Sequence, residues 1–232
     1  MPRLLRATDC CLHHVTSRGN NRRSIYEDTT DRETFYDVLE KAIARTDVLC
    51  HVDVQMGNHY HLLVEGAIED VSEFLWRLNH RYAVAYNQRH GRINHMFGRR
   101  FHCGSVEDEE GARAVAVYVS LNPVRAGFCE APAEWPFGSF RAHAGLEPPR
   151  PHLSTGFIAE LFGPGQTLSE ACDEALARDP RGRPSLHSLL PRRDELTREH
   201  VKHAVRIFGY TYDEIARHYG VSLRTLQRWL AE

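Results

Sequence analysis

Apolar and polar residues follow two different periods along this chain, and the periods predict its secondary structure. Residues 48–56 alternate clearly from Cys50 onward between apolar and polar side chains, which predicts a half-buried strand. The turn-forming pair Gly57-Asn58 leads into residues 59–64, which again have strand character, so a hairpin is expected. Two further strands are predicted at residues 11–17 and 101–106.

A period of about 3.6 residues predicts three helices between and after these strands. The first begins at a cap on Asp31 or Thr30 and runs to about residue 45. The second spans about residues 70–89, and the third opens on acidic residues that complement the helix dipole and ends at Pro123. The apolar stripe that the second helix is expected to bury comprises Val71, Phe74, Leu75, Leu78, Tyr82 and Tyr86.

The order of these elements predicts an α+β fold with a ferredoxin-like antiparallel sheet. Strand, helix, strand, strand, helix, strand, helix is the split βαβ pattern with one added helix. We expect the helices on one face of the sheet and an open face that can hold a functional site. Residues 1–143 are assigned to this domain, and residues 144–190 to a linker with short helices. Within the linker, the basic segment 181–185 is a flexible connection or a strap that lies in a DNA groove.

Residues 191–232 predict a small all-α module. Thr211 and Glu214 have the spacing of a capping box, and Ser222 is placed to cap the last helix. The arrangement resembles a helix-turn-helix, although a lid or a dimer contact without a role in DNA binding fits the same pattern. The outward side chains of the last helix that would contact bases or phosphates are Arg224, Thr225, Gln227 and Arg228.

Composition narrows the class of protein without identifying it. The chain has 232 residues, of which 42% are hydrophobic and 26% are charged, a balance typical of globular proteins. It contains neither a run of about 18 apolar residues nor a secretory signal, so no membrane association is expected. Six cysteines without a Cys-x-x-Cys pair indicate reduced thiols and a cytoplasmic location.

A net charge of −2 argues against general electrostatic capture of nucleic acid but allows local basic patches. Two loops have that character. One follows the first strand and combines turn formers with arginine, and the other interleaves arginine with aromatic residues, which suits phosphates and stacked bases. Each loop is also consistent with a solvated surface turn. The residues that we single out in them as DNA contacts are Arg18, Asn20, Arg22, Arg99 and Arg100.

Two histidines in the predicted hairpin are candidate metal ligands. His59 and His61 share one face of their strand, roughly 6.6 Å apart at Cα, which is close enough to bind one ion. We expect the pair to face the surface, with Asp53 and Gln55 of the preceding strand beside it. The alternative is two solvated surface histidines with no metal.

The third helix carries a more specific pattern. Tyr118 and Asn122 are four residues apart and share a helix face, although a tyrosine there is most often part of a core. Residues 118–127 closely resemble the tyrosine helix of the single-tyrosine HUH transposases, in particular the REP-associated branch. The resemblance covers residues 8–140. The other segments that resemble this family, namely its first strand and loop, its first helix start and its histidine strand, are residues 14–20, 31–35 and 56–64.

This resemblance implies a transposase that cleaves and rejoins hairpin-containing single-stranded DNA through a 5′-phosphotyrosine, with residues 1–143 as the HUH endonuclease domain. It implies that Tyr118 is the nucleophile and that His59 and His61 bind the metal. It also places a third ligand at Asn122, where related insertion-sequence enzymes have glutamine. Such a mixed donor set suits Mg²⁺ or Mn²⁺ better than a closed zinc site. The implied partners are DNA repeats flanking the chain's own gene, bound by a monomer or a homodimer.

Two other classes of function stay open. A rolling-circle replication initiator or relaxase would share the histidine pair and the tyrosine, but no helicase-like segment and no second catalytic tyrosine beside Tyr118 is evident. A non-catalytic transcription regulator would use the C-terminal module alone. The intact histidine and tyrosine set argues against that class, since a regulator has no use for it.

Overall fold

The computed structural model describes residues 11–93, 95–98, 101–178, 185–206 and 208–230, and it confirms the predicted antiparallel sheet. The strands are β1 (Cys11–Arg18), β2 (Leu49–Gln55), β3 (His59–Gly66) and β4 (His102–Val106). They are hydrogen-bonded in the order β2-β3-β1-β4, and every neighbouring pair is antiparallel. The first strand of the chain is therefore central, and it contacts both the hairpin and β4.

Two helices, α1 (Thr29–Ile43) and α2 (Ile68–His90), cover one face of the sheet. The predicted apolar stripe of α2 is buried in full. The cap expected at Asp31 or Thr30 is wrong. The carboxylate of Asp28 accepts a hydrogen bond from the N–H of Asp31 at 3.1 Å, so the cap lies two or three residues earlier than predicted and Asp31 is buried in the first turn.

A third helix, α3 (Glu109–Arg125), covers the opposite face, so the expectation of an open face is wrong. That face carries hydrocarbon side chains as well as histidines. Leu12, Val52 and Leu63 lie there and are at most 1% exposed. Burying a side chain of this size contributes about 1.5–3 kcal/mol, which an open face would lose.

α3 continues through Pro123 to Arg125 instead of ending at the proline. Proline lacks the N–H that would bond to a carbonyl four residues earlier, but in the last turn of a helix this removes only one bond. The helix ends where Gly127 adopts a left-handed φ of +71°. As a result Arg125 stays helical, two turns after Tyr118.

The segment after α3 folds back onto that helix. Its helices are α4 (Phe140–His143), α5 (Gly156–Phe162), α6 (Leu168–Arg178) and α7 (Leu186–Leu189). Elsewhere along the described chain, three-residue 3₁₀ turns occupy Asn20–Arg22 before α1, Pro132–Glu134 after α3 and Arg193–Glu195 before the C-terminal module. Ile158, Leu161 and Cys172 of this segment are buried in the same core as α3. Most of the predicted basic strap, residues 181–184, lies outside the described residues.

The C-terminal module consists of α8 (Arg198–Arg206), α9 (Tyr212–His218) and α10 (Leu223–Trp229). The predicted capping box is present, because Thr211 and Glu214 exchange hydrogen bonds, and Ser222 caps α10. α8 contacts β4 and α7, so the module packs against the sheet domain. Among the residues that the structure describes, no helix is long and apolar enough to cross a bilayer.

Candidate active site

The register of the hairpin decides what lies beside His59 and His61. Val54 pairs with His61 across the two strands, and residues paired in this way point to the same face of a sheet. Asp53 and Gln55 therefore point to the other face, where both hydrogen-bond to α1. The expectation that these two polar residues flank the histidines is wrong.

The two imidazoles are neutral and close together. Their ring centroids are 5.0 Å apart. His61 is only 3% exposed, so the expectation of a surface-facing pair is wrong for this residue, while His59 is half-buried. Burial, with a smaller contribution from the charge of Arg18, lowers the pKa of His59 to about 3. Burial also holds the pKa of His61 well below its ordinary value, so both rings offer lone pairs at neutral pH.

Hydrogen bonds fix which nitrogen of His59 carries the lone pair. Nδ1 of His59 donates to Oδ1 of Asn58 at 2.7 Å, and Nδ2 of Asn58 donates to the carbonyl of Arg22 at 2.9 Å. The lone pair is therefore on Nε2 of His59. Nε2 of His61 is buried and has no hydrogen-bond partner among the described residues. A buried nitrogen left in this way fits one that binds a cation.

Tyr118 lies on the face of α3 that covers the histidines. Its ring centroid is 5.7 Å from that of His61, and the residue is 2% exposed. One turn later, Nδ2 of Asn122 donates to the carbonyl of Tyr118 at 2.8 Å, so Oδ1 is the acceptor end of the amide. The helix thus brings a phenol and an amide to the same cleft as the two imidazoles.

These side chains fit a divalent cation. Two imidazole nitrogens and one amide oxygen are metal-binding donors that leave further coordination positions open. In the described part of the chain, no cluster of three His, Cys, Asp or Glu side chains could hold a metal ion.

Arg125 is a residue of the site that the sequence analysis missed. Its guanidinium carbon lies 4.5 Å from the centroid of the Tyr118 ring. Burial raises the pKa of Tyr118, whereas the charge and a hydrogen bond of Arg125 act in the opposite direction. The sequence did contain a signal, since Tyr118, Asn122 and Arg125 have the spacing i, i+4, i+7 of one helix face.

Three further histidines lie next to the site and were also missed. Nε2 of His14 is 3.0 Å from Nδ1 of His61, and Nδ1 of His14 is 3.2 Å from Nε2 of His203. Nδ1 of His203 is in turn 3.1 Å from Nε2 of His102. His203 belongs to α8, and Phe208 from the same module packs its ring 4.2 Å from that of Tyr118. No sequence pattern relates these positions, which are far apart in the chain.

A cleft of about 810 Å³ opens over the histidine pair and the tyrosine. Arg18 at the end of β1, and Asn20 and Arg22 on the loop that follows, line this cleft, and all three were singled out from the sequence. Arg99 and Arg100 lie outside the described residues. The cleft therefore combines the candidate catalytic side chains with at least two arginines.

The residues singled out on α10 do not line this cleft. Arg224, Gln227 and Arg228 are exposed as expected, but Thr225 is half-buried. Its Oγ1 lies 2.9 Å from Oγ of Ser222, so the helix cap engages the hydroxyl that was expected to face outward. The other three side chains form a second polar surface on the C-terminal module.

Comparison with known proteins matches both parts of the chain. A family model described as IS200-like transposase matches residues 7–122, half of the chain, and a homeodomain-like family model matches residues 192–232. A solved structure of a REP-associated tyrosine transposase bound to a REP hairpin is similar to this chain, at 19% identity and a TM-score of 0.51, and the alignment covers 63% of this chain and 87% of that one. This likeness shows a shared fold.

A putative transposase from Deinococcus radiodurans R1 is a more distant match. It is 12% identical with a TM-score of 0.38, over 49% of this chain and 92% of the other. No curated protein matches the chain.

Proposed function

Because the chain belongs to the IS200-like transposase family, we propose that it cuts and rejoins single-stranded DNA through a covalent tyrosine link. Tyr118 is the nucleophile, and His59, His61 and Asn122 hold a divalent cation. The observation that carries this function is the convergence of these four side chains, from β3 and α3, on one cleft. A tyrosine that only fills a core has no need of two neutral imidazoles and a guanidinium around it.

The chain's own residues prepare the cation site. His59 and His61 are held neutral by burial; His59 has a lone pair on Nε2, and Nε2 of His61 has no hydrogen-bond partner among the described residues. Asn122 adds an amide oxygen without adding charge. When bound, Mg²⁺ or Mn²⁺ supplies positive charge to the phosphate oxygens, which lowers the barrier to attack by an anionic nucleophile.

Tyr118 and Arg125 carry the bond-making step. The phenol loses its proton, its Oη forms a bond to phosphorus, and the bond between phosphorus and the 3′ oxygen breaks. The 3′ oxygen leaves with a proton as a free hydroxyl, while the 5′ phosphate remains on the tyrosine, so the reverse step can rejoin strands. Arg125 stabilises the phenolate, which burial alone would disfavour.

DNA contacts fall on two surfaces. Arg18, Asn20 and Arg22 line the cleft, where they contact the phosphates of the strand to be cut. On α10, exposed Arg224 and Arg228 contact duplex, such as a hairpin stem. A hairpin substrate is supported by the similar structure, since that protein is bound to a REP hairpin.

The test is cleavage of single-stranded oligonucleotides that carry the hairpin repeats flanking the chain's own gene, with Mg²⁺ or Mn²⁺. A label at the 3′ end of the DNA should move with the protein on a denaturing gel, and protease should remove the adduct. A label at the 5′ end should give a free fragment that ends in a 3′ hydroxyl. DNA cut with no adduct would indicate a metal-dependent hydrolase instead.

A non-catalytic DNA-binding regulator is the alternative that the homeodomain-like match favours. It predicts tight binding of the same oligonucleotides with no cut and no adduct in either metal. A replication initiator or relaxase predicts an adduct as well, but one that forms on an origin-like nick site and not at the flanking repeats.

A further inference from the structure

Four imidazoles form a continuous hydrogen-bonded row beside the proposed metal site. The row runs from His61 on β3 through His14 on β1 and His203 on α8 to His102 at the start of β4. Its three nitrogen-to-nitrogen distances are 3.0, 3.2 and 3.1 Å. Each of the two middle rings uses one nitrogen towards one neighbour and its other nitrogen towards the next. The row is therefore ordered head to tail.

A neutral imidazole has one donor and one acceptor nitrogen. Each middle ring must then donate in one direction and accept from the other, so the protons along the row all point the same way. Only two arrangements satisfy every bond. In one, Nδ1 of His61 donates to His14, which donates to His203, which donates to His102. In the other, every proton is reversed.

The two arrangements differ at the end that faces the cleft. In the reversed one, Nε2 of His61 carries a proton, yet this atom is buried and has no acceptor among the described residues. In the first one, Nε2 of His61 carries a lone pair that points into the site. Only the first arrangement allows His61 to bind a cation, because a metal ligand must be unprotonated at the coordinating nitrogen.

We propose that His14 and His203 are positioning residues that hold His61 in its metal-binding tautomer, so that the C-terminal module completes the metal site of the sheet domain. This inference rests on the proposed function, in which His61 is a metal ligand. Neither His14 nor His203 touches the cation or the DNA. Their effect passes through the ring of His61, because a hydrogen bond to one nitrogen of a histidine ligand fixes which nitrogen binds the metal.

The way in which α8 docks supports this role. A Cβ atom added at Gly104 would lie 2.4 Å from Nδ1 of His203, so the strand leaves room for the imidazole only because this residue is glycine. His14 is fully buried, which keeps water from replacing its partners. Phe208 contacts the rings of both His14 and His203, with centroids 5.6 and 5.1 Å away. Phe208 and His203 thus hold the C-terminal module against the sheet domain at the contact between His14 and His203.

The experiment measures Mn²⁺ binding to the full chain by titration calorimetry, together with the tautomer of His61 by nitrogen-15 NMR of the metal-free protein. In the wild type, His61 should be protonated on Nδ1. His14→Phe and His203→Phe keep a ring but remove the row, and each should weaken Mn²⁺ binding about 10–100-fold. The same variants should shift the His61 signal towards a mixture of tautomers. His203→Gln, which keeps a donor and an acceptor, should recover part of the affinity.

The matched control is His200→Gln. His200 is on the same helix and docks α8 through Glu107 at 2.9 Å, but it is not part of the row. The Mn²⁺ affinity of the His200→Gln variant should stay within about twofold of that of the wild type. This control separates the effect of losing a docking contact from the effect of losing the histidine row. If His14→Phe does not fold, His203→Phe and the wild-type tautomer decide the question.

Unchanged Mn²⁺ affinity and an unchanged His61 tautomer in both ring variants would overturn the inference. If the wild type binds no Mn²⁺, or if the His61→Ala variant binds Mn²⁺ as tightly as the wild type does, the metal site of the proposed function is refuted instead. The tautomer measurement needs no metal, so it distinguishes these two failures.

Discussion

Two buried tyrosines, Tyr60 and Tyr118, lie on opposite faces of the sheet beside the histidine strand, and their polar surroundings differ. Tyr60 lies on the face covered by α1 and α2 and is 0% exposed, and Tyr118 lies on the other face at 2%. Tyr60 packs 4.9 Å from the ring of Phe35, and its hydroxyl donates to Oδ1 of Asn79 at 2.8 Å. Burial raises the pKa of both phenols.

Only the second phenol has a neighbouring cation. Arg125 opposes the effect of burial on the pKa of Tyr118, whereas the uncharged side chains of Ser17 and Asn79 oppose it at Tyr60. The difference shows that burial disfavours the phenolate at both positions, while positive charge beside the ring offsets part of that effect only at Tyr118.

Replacing each tyrosine by phenylalanine should give the largest contrast. Tyr118→Phe should abolish cleavage and the covalent adduct, because no oxygen remains to form the link to phosphorus. Tyr60→Phe should keep cleavage, and each change should cost only about 0.5–1.5 kcal/mol of stability through a lost hydrogen bond. The measurements are adduct formation on a denaturing gel and unfolding in urea. An adduct that maps by peptide analysis to Tyr82 or Tyr86 would show that the nucleophile is misassigned.

Removing either histidine of the β3 pair should also reduce cleavage to background, but with unequal effects on stability. His61→Ala leaves buried partners unsatisfied and should cost about 1–3 kcal/mol, whereas half-buried His59→Ala should cost less. Cleavage assays with Mg²⁺ and equilibrium unfolding measure the two effects. Full cleavage by the double variant in the presence of a chelator would contradict the metal assignment.

Arg125→Gln tests the charge that distinguishes Tyr118 from Tyr60. Because the guanidinium favours the phenolate, its loss should raise the pKa of Tyr118 further and slow cleavage about 10–100-fold at a fixed pH. The rise of the rate with pH should therefore move to higher pH. Arg113→Gln is the matched control, since Arg113 is on the same helix but lies over Phe162. A pH profile identical to that of the wild type would remove Arg125 from the site.

The smallest effects on cleavage are expected from substitutions on α10, whose exposed arginines do not line the cleft that contains Tyr118. Arg224→Ala and Arg228→Ala should weaken DNA binding with no change in cleavage at saturating DNA. Each should lower the slope of log affinity against log salt by about one if it contacts a phosphate. Arg217→Ala, an exposed arginine on α9, is the control of equal charge. Equal slopes for all three variants would favour a lid over a DNA-binding role for the module.

Local patterns determined the elements and the motif. Alternation from Cys50 onward predicted β2, the Gly57-Asn58 pair predicted the hairpin, and the 3.6-residue period predicted the buried stripe of α2. These signals depend on neighbours a few residues apart, which interact in any context. The two-residue turn at Gly57-Asn58 also fixes which residues pair across the hairpin. The sequence therefore already implies that Asp53 and Gln55 face away from His59 and His61.

Only the tertiary structure decided what surrounds the motif. His14 and His61 are 47 residues apart in the chain, and His14 and His203 are 189 apart, yet their ring nitrogens are within hydrogen-bonding distance. Strand pairing brings the first two together, and the docking of α8 beside Gly104 brings the third. Neither event leaves a period in the sequence, because a contact between distant segments depends on the shape of the whole core and not on the spacing of residues within one element.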